Sequence, residues 1–250
     1  YIRYMAEHNS RGFIGNSIMA CGVVLAAFIV SNAWKTTNIQ QNQTISVTGS
    51  AKRSIVSDLA VLRGSVTAYG ATNAEAFQNL KYQKKSLLLY LAGKGFPEDK
   101  VRYSSVNFYP IFDILQNGMQ SNTVRGYNCV QNIEVESQDV YKINQLSVDI
   151  GSIAEQGVSY TPDPTLYYYT KLANLKIEIQ AEAAKDAKNR AERIAKATER
   201  ELGPLRSARM GVIQITAKNS HEEINDYGIN DVTSLEKEIT AVVSGTFGIE

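Results

Sequence analysis

Acid–base, nucleophilic or metal chemistry in this chain would have to draw on two histidines, two cysteines and a scatter of carboxylates. His8 precedes an apolar segment and His221 sits in a polar loop, so neither can join a Ser-His relay or a histidine metal site within one domain. His221-Glu222-Glu223 has the residue types of a metal site. It lacks the HExxH spacing that places two histidines on one helix face, and no cysteine–histidine cluster supports it elsewhere, so it reads as a solvated loop. Cys21 falls in the apolar segment and Cys129 in a strand pattern; the two do not pair, and Cys129 reads as a small buried hydrophobe. Asp58 follows a turn, and Asp163 with Pro164 behind it has the form of a helix N-cap with proline at the first helical position. Tyr167-Tyr168-Tyr169 offers stacking rings, but three consecutive side chains point three ways, which suits packing at a subunit or sheet boundary. No GxGxxG, phosphate loop or G-x-S-x-G is present. The expectation is a non-enzymatic protein with no catalytic residues, no metal and no cofactor.

The elements that would position these residues follow an α+β order, β-β-α-β-β-α-β-α-β-β, with antiparallel sheets and packed helices. Thr44 to Ser50 and Asp58 to Tyr69 alternate as strands around a turn at Lys52 to Ser57. Thr72-Asn73-Ala74-Glu75 is a capping box opening a helix with Phe77, Leu80, Lys84, Leu87, Leu88 and Leu91 on one stripe, ended by Gly93 and Gly95. Val101 to Ile114 and Val124 to Glu136 form a hairpin of long strands around the turn-rich Gln116 to Asn122. Asp139 caps a short helix carrying Val140, Ile143, Leu146 and Ile150, and a brief strand lies near Gly157 to Tyr160. The longest helix is predicted from Asp163 to about Leu202, with Leu172, Leu175, Ile179, Ala183, Ala187, Ala191, Ile194 and Thr198 on its packed face. Two final strands, Leu205 to Lys218 and Leu235 to Ile249, enclose a polar loop.

Ahead of all this lies one apolar stretch between Arg11 and Lys35, free of charge. Its dense core, Ile18 to Val30, has the length of a signal-peptide core, but Gly12 to Asn16 and Ser31 to Trp34 extend it to a spanning length. The expected organisation is therefore a cytoplasmic tail at 1–11, a transmembrane signal-anchor helix at 12–34, a linker at 35–43 and a soluble domain at 44–250, itself divisible at most into 44–137 and 138–250. Basic residues flank both ends, so orientation rests on the large C-terminal domain, which suits export, and on Trp34 at the outer headgroup level. Ser17, Cys21, Gly22 and Ala26 recur at helical spacing; they either let neighbouring membrane helices approach closely or are simply tolerated in lipid.

With 26 basic and 25 acidic side chains the chain has no electrostatic case for nucleic acid. Several segments together resemble the SIMPL domain family of bacterial envelope proteins: Ile45-Ser46-Val47-Thr48-Gly49-Ser50-Ala51, Asp58 to Leu62, Tyr127 to Glu136, the Ala-rich run Ala181 to Ala197 with Leu202-Gly203 after it, and Ile239 to Phe247. The family's usual small-Pro-Asp before the second strand stands here as Val56-Ser57-Asp58. The resemblance implies export to the periplasm, an α+β fold, links to envelope or oxidative stress, and in some members large ring- or cage-like homo-oligomers; it carries over no catalytic residue. The expectation is thus a scaffold of many copies anchored in the bacterial inner membrane, its partners the lipid bilayer and its own copies. Candidate oligomer contacts are Gln116, Asn117, Met119 and Asn122 at the hairpin tip and His221, Glu222, Tyr227 and Asp231 in the last loop, each of which ordinary solvent exposure also explains. The alternative is a periplasmic module that binds a ligand or peptide between helices and sheet.

Overall fold

Nine strands and four α-helices organise the described part of the chain, which in this computed structural model comprises residues 19, 22–31, 43–116, 118–220 and 227–250. The strands are β1 (Thr44–Val56), β2 (Leu59–Gly70), β3 (Val101–Ile114), β4 (Gln120–Ser137), β5 (Tyr160–Pro162), β6 (Leu166–Tyr168), β7 (Leu202–Met210), β8 (Gln214–Ala217) and β9 (Glu236–Ile249). The helices are α1 (residues 22–31), α2 (Asn73–Gly93), α3 (Val140–Asp149) and α4 (Leu172–Ala197). The α+β class with antiparallel sheets and packed helices holds. The chain divides into two compact units. One gathers the described residues of Tyr1–Ala51 with Gln180–Gly211 and Val242–Glu250; the other holds Lys52–Ile179 and Val212–Ala241. Because β1, α4 and β9 each contribute residues to both, neither unit coincides with 44–137 or 138–250.

α1 is apolar and exposed along its described length, and among the described residues no helix is long and apolar enough to cross a membrane. The remainder of the expected anchor, including Ser17 and Cys21, lies outside the described residues.

In the larger unit β3, β4, β2 and β5 follow one another across a sheet, with β6 also on β2, every pair antiparallel. Alternation on β2 puts Ala60, Leu62, Val66 and Ala68 on the face that α2 and α3 cover. Leu80, Leu87 and Leu91 of α2 and Ile143 and Leu146 of α3 are almost fully buried there, each such side chain contributing about 1.5–3 kcal/mol. The capping box forms with a shift: Thr72 Oγ1 accepts from the Glu75 N–H at 3.2 Å, while Glu75 Oε2 reaches the N–H of Ala71 rather than of Thr72, at 2.9 Å. α2 ends where Gly95 turns left-handed at φ +86° and the Phe96 N–H returns to Leu91 O at 2.9 Å. Asp139 caps α3 through the Lys142 N–H at 3.1 Å.

The long helix departs from its predicted start. Asp163 and Pro164 do not open it; Leu166–Tyr168 instead pairs with Leu59 to Val61 as β6, and α4 begins at Leu172. The tyrosine run therefore alternates as a strand. Tyr167 is buried, with its hydroxyl donating to Asn144 Oδ1 at 2.8 Å. A free β2 edge and a buried aromatic outweigh the capping signal. Asp58, not Asp163, secures the approach to α4: its carboxylate accepts the Thr170 N–H at 2.7 Å and the Thr170 hydroxyl at 2.8 Å. The predicted strand Leu205 to Lys218 is likewise interrupted at 211–213, where the pairing on β9 slips by one residue between β7 and β8.

In the smaller unit β7 pairs antiparallel with the second half of β9, which lies between β7 and β1. Hydroxyl pairs Ser46–Thr246 at 2.9 Å and Thr48–Ser244 at 3.1 Å link β1 to β9. The buried positions of α4 in this unit recur every four residues, Ala183, Ala187, Ala191 and Ala195, so one i±4 ridge of the helix is buried. Gly49 of β1 meets that ridge. A Cβ at residue 49 would stand 2.2 Å from Ala187 N and 2.4 Å from Ala183 O, so only glycine permits this approach. The neighbouring Ser50 N–H donates to Asp186 Oδ2 at 2.9 Å, which with Arg190 holds that carboxyl below its usual range.

Two predictions follow from this packing. Gly49→Ala forces backbone apart on both sides, and the expected loss is about 3 kcal/mol, at the upper end of overpacking costs; urea denaturation followed by circular dichroism reads it, and an unchanged midpoint would refute the close approach. The second concerns alkaline pH. Burial, with the Glu98 charge, raises the Tyr103 phenol to about 12, and burial raises the Tyr160 and Tyr167 phenols in the same direction. Above pH 10 the unfolded chain loses phenolic protons that the folded chain keeps. Stability fully present below pH 10 therefore declines as pH climbs towards 12, and Tyr103→Phe flattens part of that decline. Parallel pH profiles of the urea midpoint for the two proteins would expose an error if their slopes coincided.

Candidate functional site

The larger unit carries a projecting arm. Pairing of β2 with β4 stops at Gly70 opposite Tyr127, whereas β3 continues against β4 from Ile111 opposite Gly126 to Ile114 opposite Gln120. Beyond β2, then, the hairpin stands as a two-stranded ribbon, and β3 is the outer strand of the sheet along its whole length. Such a ribbon is marginal alone in water, and an outer strand presents unpaired backbone groups. The arm is also apolar where it projects: Ile114 is 76% exposed and Met119 62%, with Leu115 and Val124 exposed beside them, while Phe108 and Tyr109 are exposed on the part of β3 where β2 still backs β4.

The smaller unit carries a groove of about 680 Å³ along β7, between the strands and α4. An α-helix is about 10–12 Å across and strands lie about 4.8 Å apart, so one helix covers roughly two strands. α4 is drawn down onto β1 by Gly49, and the outer strand β7 is left uncovered. The floor is apolar, from Leu202, Leu205, Ala208, Val243 and Phe247, with Leu205 still 55% exposed. The rim is charged, with Lys188, Glu192 and Glu250. Lys188 and Glu192 lie 3.6 Å apart on successive turns, an exposed pair worth little in stability.

Two polar clusters lie in the larger unit. On the helix-free face of the larger sheet Glu134 takes Arg63 at 2.7 Å and Arg102 at 3.5 Å, and Arg102 also reaches Glu136 at 3.3 Å. The charges answer one another across the sheet. The second is buried. Lys237 of β9 is 2% exposed and donates to the carbonyls of Tyr167, at 2.7 Å, and Asp231. Burial pushes its ammonium below the ordinary lysine range, and the Asp231 charge offsets part of that. Burial acts to raise the Asp231 carboxyl, but the Ser234 hydroxyl, the N–H and hydroxyl of Thr233 and the Lys237 charge together hold it below its usual value. The pair fastens the last loop to β6 from within. Among the described residues no three His, Cys, Asp or Glu side chains gather in a way that could hold a metal ion.

The predicted contact residues fall out unevenly on this frame. Gln116, Met119 and Asn122 are exposed at the arm tip, Asn122 already inside β4 rather than in the turn. Tyr227 is 95% exposed, whereas Asp231 turns its carboxylate to Thr233 at 2.7 Å and serves the loop itself. Asn117, His221 and Glu222 lie outside the described residues, while Gly22 and Ala26 sit on exposed α1. Cys129 is fully buried, and burial raises its thiol pKa, as expected of a core residue. The alternative of a ligand site between helices and sheet named no residues, so it did not locate this groove. Its one signal was compositional, small Ala184 and Ala187 on the helix with Gly203, Ala208 and Gly245 on the strands.

No curated protein matches the chain. A family match does exist, and it runs from residue 45 to residue 247, spanning β1 through nearly the whole of β9 and so the arm, the groove and the Gly49 contact alike. By that match the chain belongs to the SIMPL family, described as "Protein of unknown function (DUF541)".

Proposed function

We propose that this chain is a non-enzymatic scaffolding protein of the bacterial envelope whose copies assemble through the domain at 44–250 into a large ring or cage. The projecting β3–β4 arm carries this reading. A ribbon that buries little of its own apolar surface, with one backbone edge unpaired, gains most by covering itself against another chain. The apolar stretch at 12–34 would anchor each copy in the inner membrane with the domain on the periplasmic side, and the apolar exposed α1 within it supports that placement. A part in envelope or oxidative stress rests on family resemblance alone. Arg63 on Glu134 and Lys237 on the Tyr167 carbonyl are contacts that tie elements of the fold together, which supports a structural role.

The alternative, a module that binds an apolar ligand or peptide, draws on one observation: the uncovered groove along β7.

Light scattering of the full chain in detergent separates the two. The expected result is a particle of many copies, reduced to small species by Ile114→Asp together with Met119→Asp. A wild-type chain that stays monomeric or dimeric across micromolar concentrations would sink the scaffold reading.

A further inference from the structure

Resting on the homo-oligomer reading, we propose that the arm tip of one copy seats in the β7 groove of the next copy. Each surface is incomplete alone and complementary to the other in kind. The tip offers Ile114, Leu115 and Met119, all exposed, to a floor of Leu202, Leu205 and Phe247. Charge fixes the choice of partner. The arm brings one acid and one base beside its apolar tip, Asp113 and Arg125, and among the described residues neither takes part in a salt bridge. The groove rim answers with Lys188 for the acid and Glu192 and Glu250 for the base. A purely apolar ligand would add nothing to the rim, where Lys188 and Glu192 pair only weakly with each other at 3.6 Å, whereas a tip of mixed charge engages both signs.

Arm and groove are different surfaces, so the contact is head-to-tail. Such a contact repeats from copy to copy and ends only by closing a ring. Each copy then gives one arm and receives one, which provides a specific route from a single interface to a large closed assembly.

Charge exchange in the full chain tests this at exposed positions, where folding tolerates change. Arg125→Glu is expected to weaken association at least tenfold by light scattering, and adding Glu192→Arg to the same chain is expected to restore most of it. Ala208→Trp, which fills the groove, is expected to abolish the large species, with the circular dichroism unfolding midpoint retained as the folding control. As a measurement independent of these losses, copies carrying only Met119→Cys mixed with copies carrying only Ala208→Cys should give an oxidised dimer that neither gives alone. A wild-type chain that assembles while Ala208→Trp and Arg125→Glu leave its mass unchanged overturns the docking and leaves the scaffold reading standing. That is also the outcome if the groove serves a diffusible ligand. A wild-type monomer overturns both.

Discussion

Backbone of β1 and backbone of α4 touch at Gly49, with the place a Cβ would occupy already taken by Ala187 N and Ala183 O. Much of the smaller unit depends on that contact. It needs glycine on the strand, and it needs alanine at 183 and 187 on the helix, since larger side chains would hold the two apart. The buried ridge of alanines is the consequence. Alanine gives up little conformational entropy on burial and also suits a helix, so the close approach costs little in side-chain terms. The cost is lateral. A helix fixed tightly over β1 cannot also spread over β7, and the apolar face of that outer strand is left to solvent.

The larger unit solves its packing differently. Two helices cover β2 and β4 mainly with leucine and isoleucine, with alanine only at Ala76 where α2 meets Gly70, and they are tied to each other as well as to the sheet. The Tyr90 hydroxyl donates to Asp149 O at 3.1 Å, and Lys94 reaches the Asp149 carboxylate at 3.0 Å. Even the buried ammonium of Lys237 fits this economy. Its charge is expensive to desolvate, but it satisfies two backbone carbonyls and faces Asp231, so removing it would strand groups that have no water to turn to. Cover runs out only along the arm, because β3 and β4 outlast the strand and helices beneath them.

What the sequence revealed follows the same physics. Thr72, Glu75 and Asp139 were legible because capping is local: the residues that signal the helix end are those that bond it. The long hairpin was legible because two long runs rich in β-forming residues flank one turn-rich stretch. Asp163-Pro164 misled for the converse reason. Its local signal is sound, but the decision was made by a distant partner, the open edge of β2 at Leu59 to Val61, which no spacing in 163–171 could announce. Gly49 stood in the family-like opening motif as one small residue among several, and its purpose appears only when the helix more than 130 residues later is laid against it. The groove left only a compositional trace, since it is a lack of cover over an ordinary strand.

An uncovered strand face and an uncovered ribbon within one chain pose a single problem of exposed apolar surface. Soluble proteins commonly blunt outer strands with lysine, proline or a covering loop. β3 carries Pro110, and β7 carries Pro204 with Arg206 and Arg209, but Phe108, Tyr109 and Ile114 on β3 and Leu205 and Met210 on β7 stand exposed among them. Both outer strands thus keep exposed apolar side chains beside that protection. Satisfying one surface with the other removes both liabilities at once, and it can do so between copies without any further binding partner. The proposed assembly then follows from how little each unit covers of itself, beginning with a glycine that draws its helix to one side.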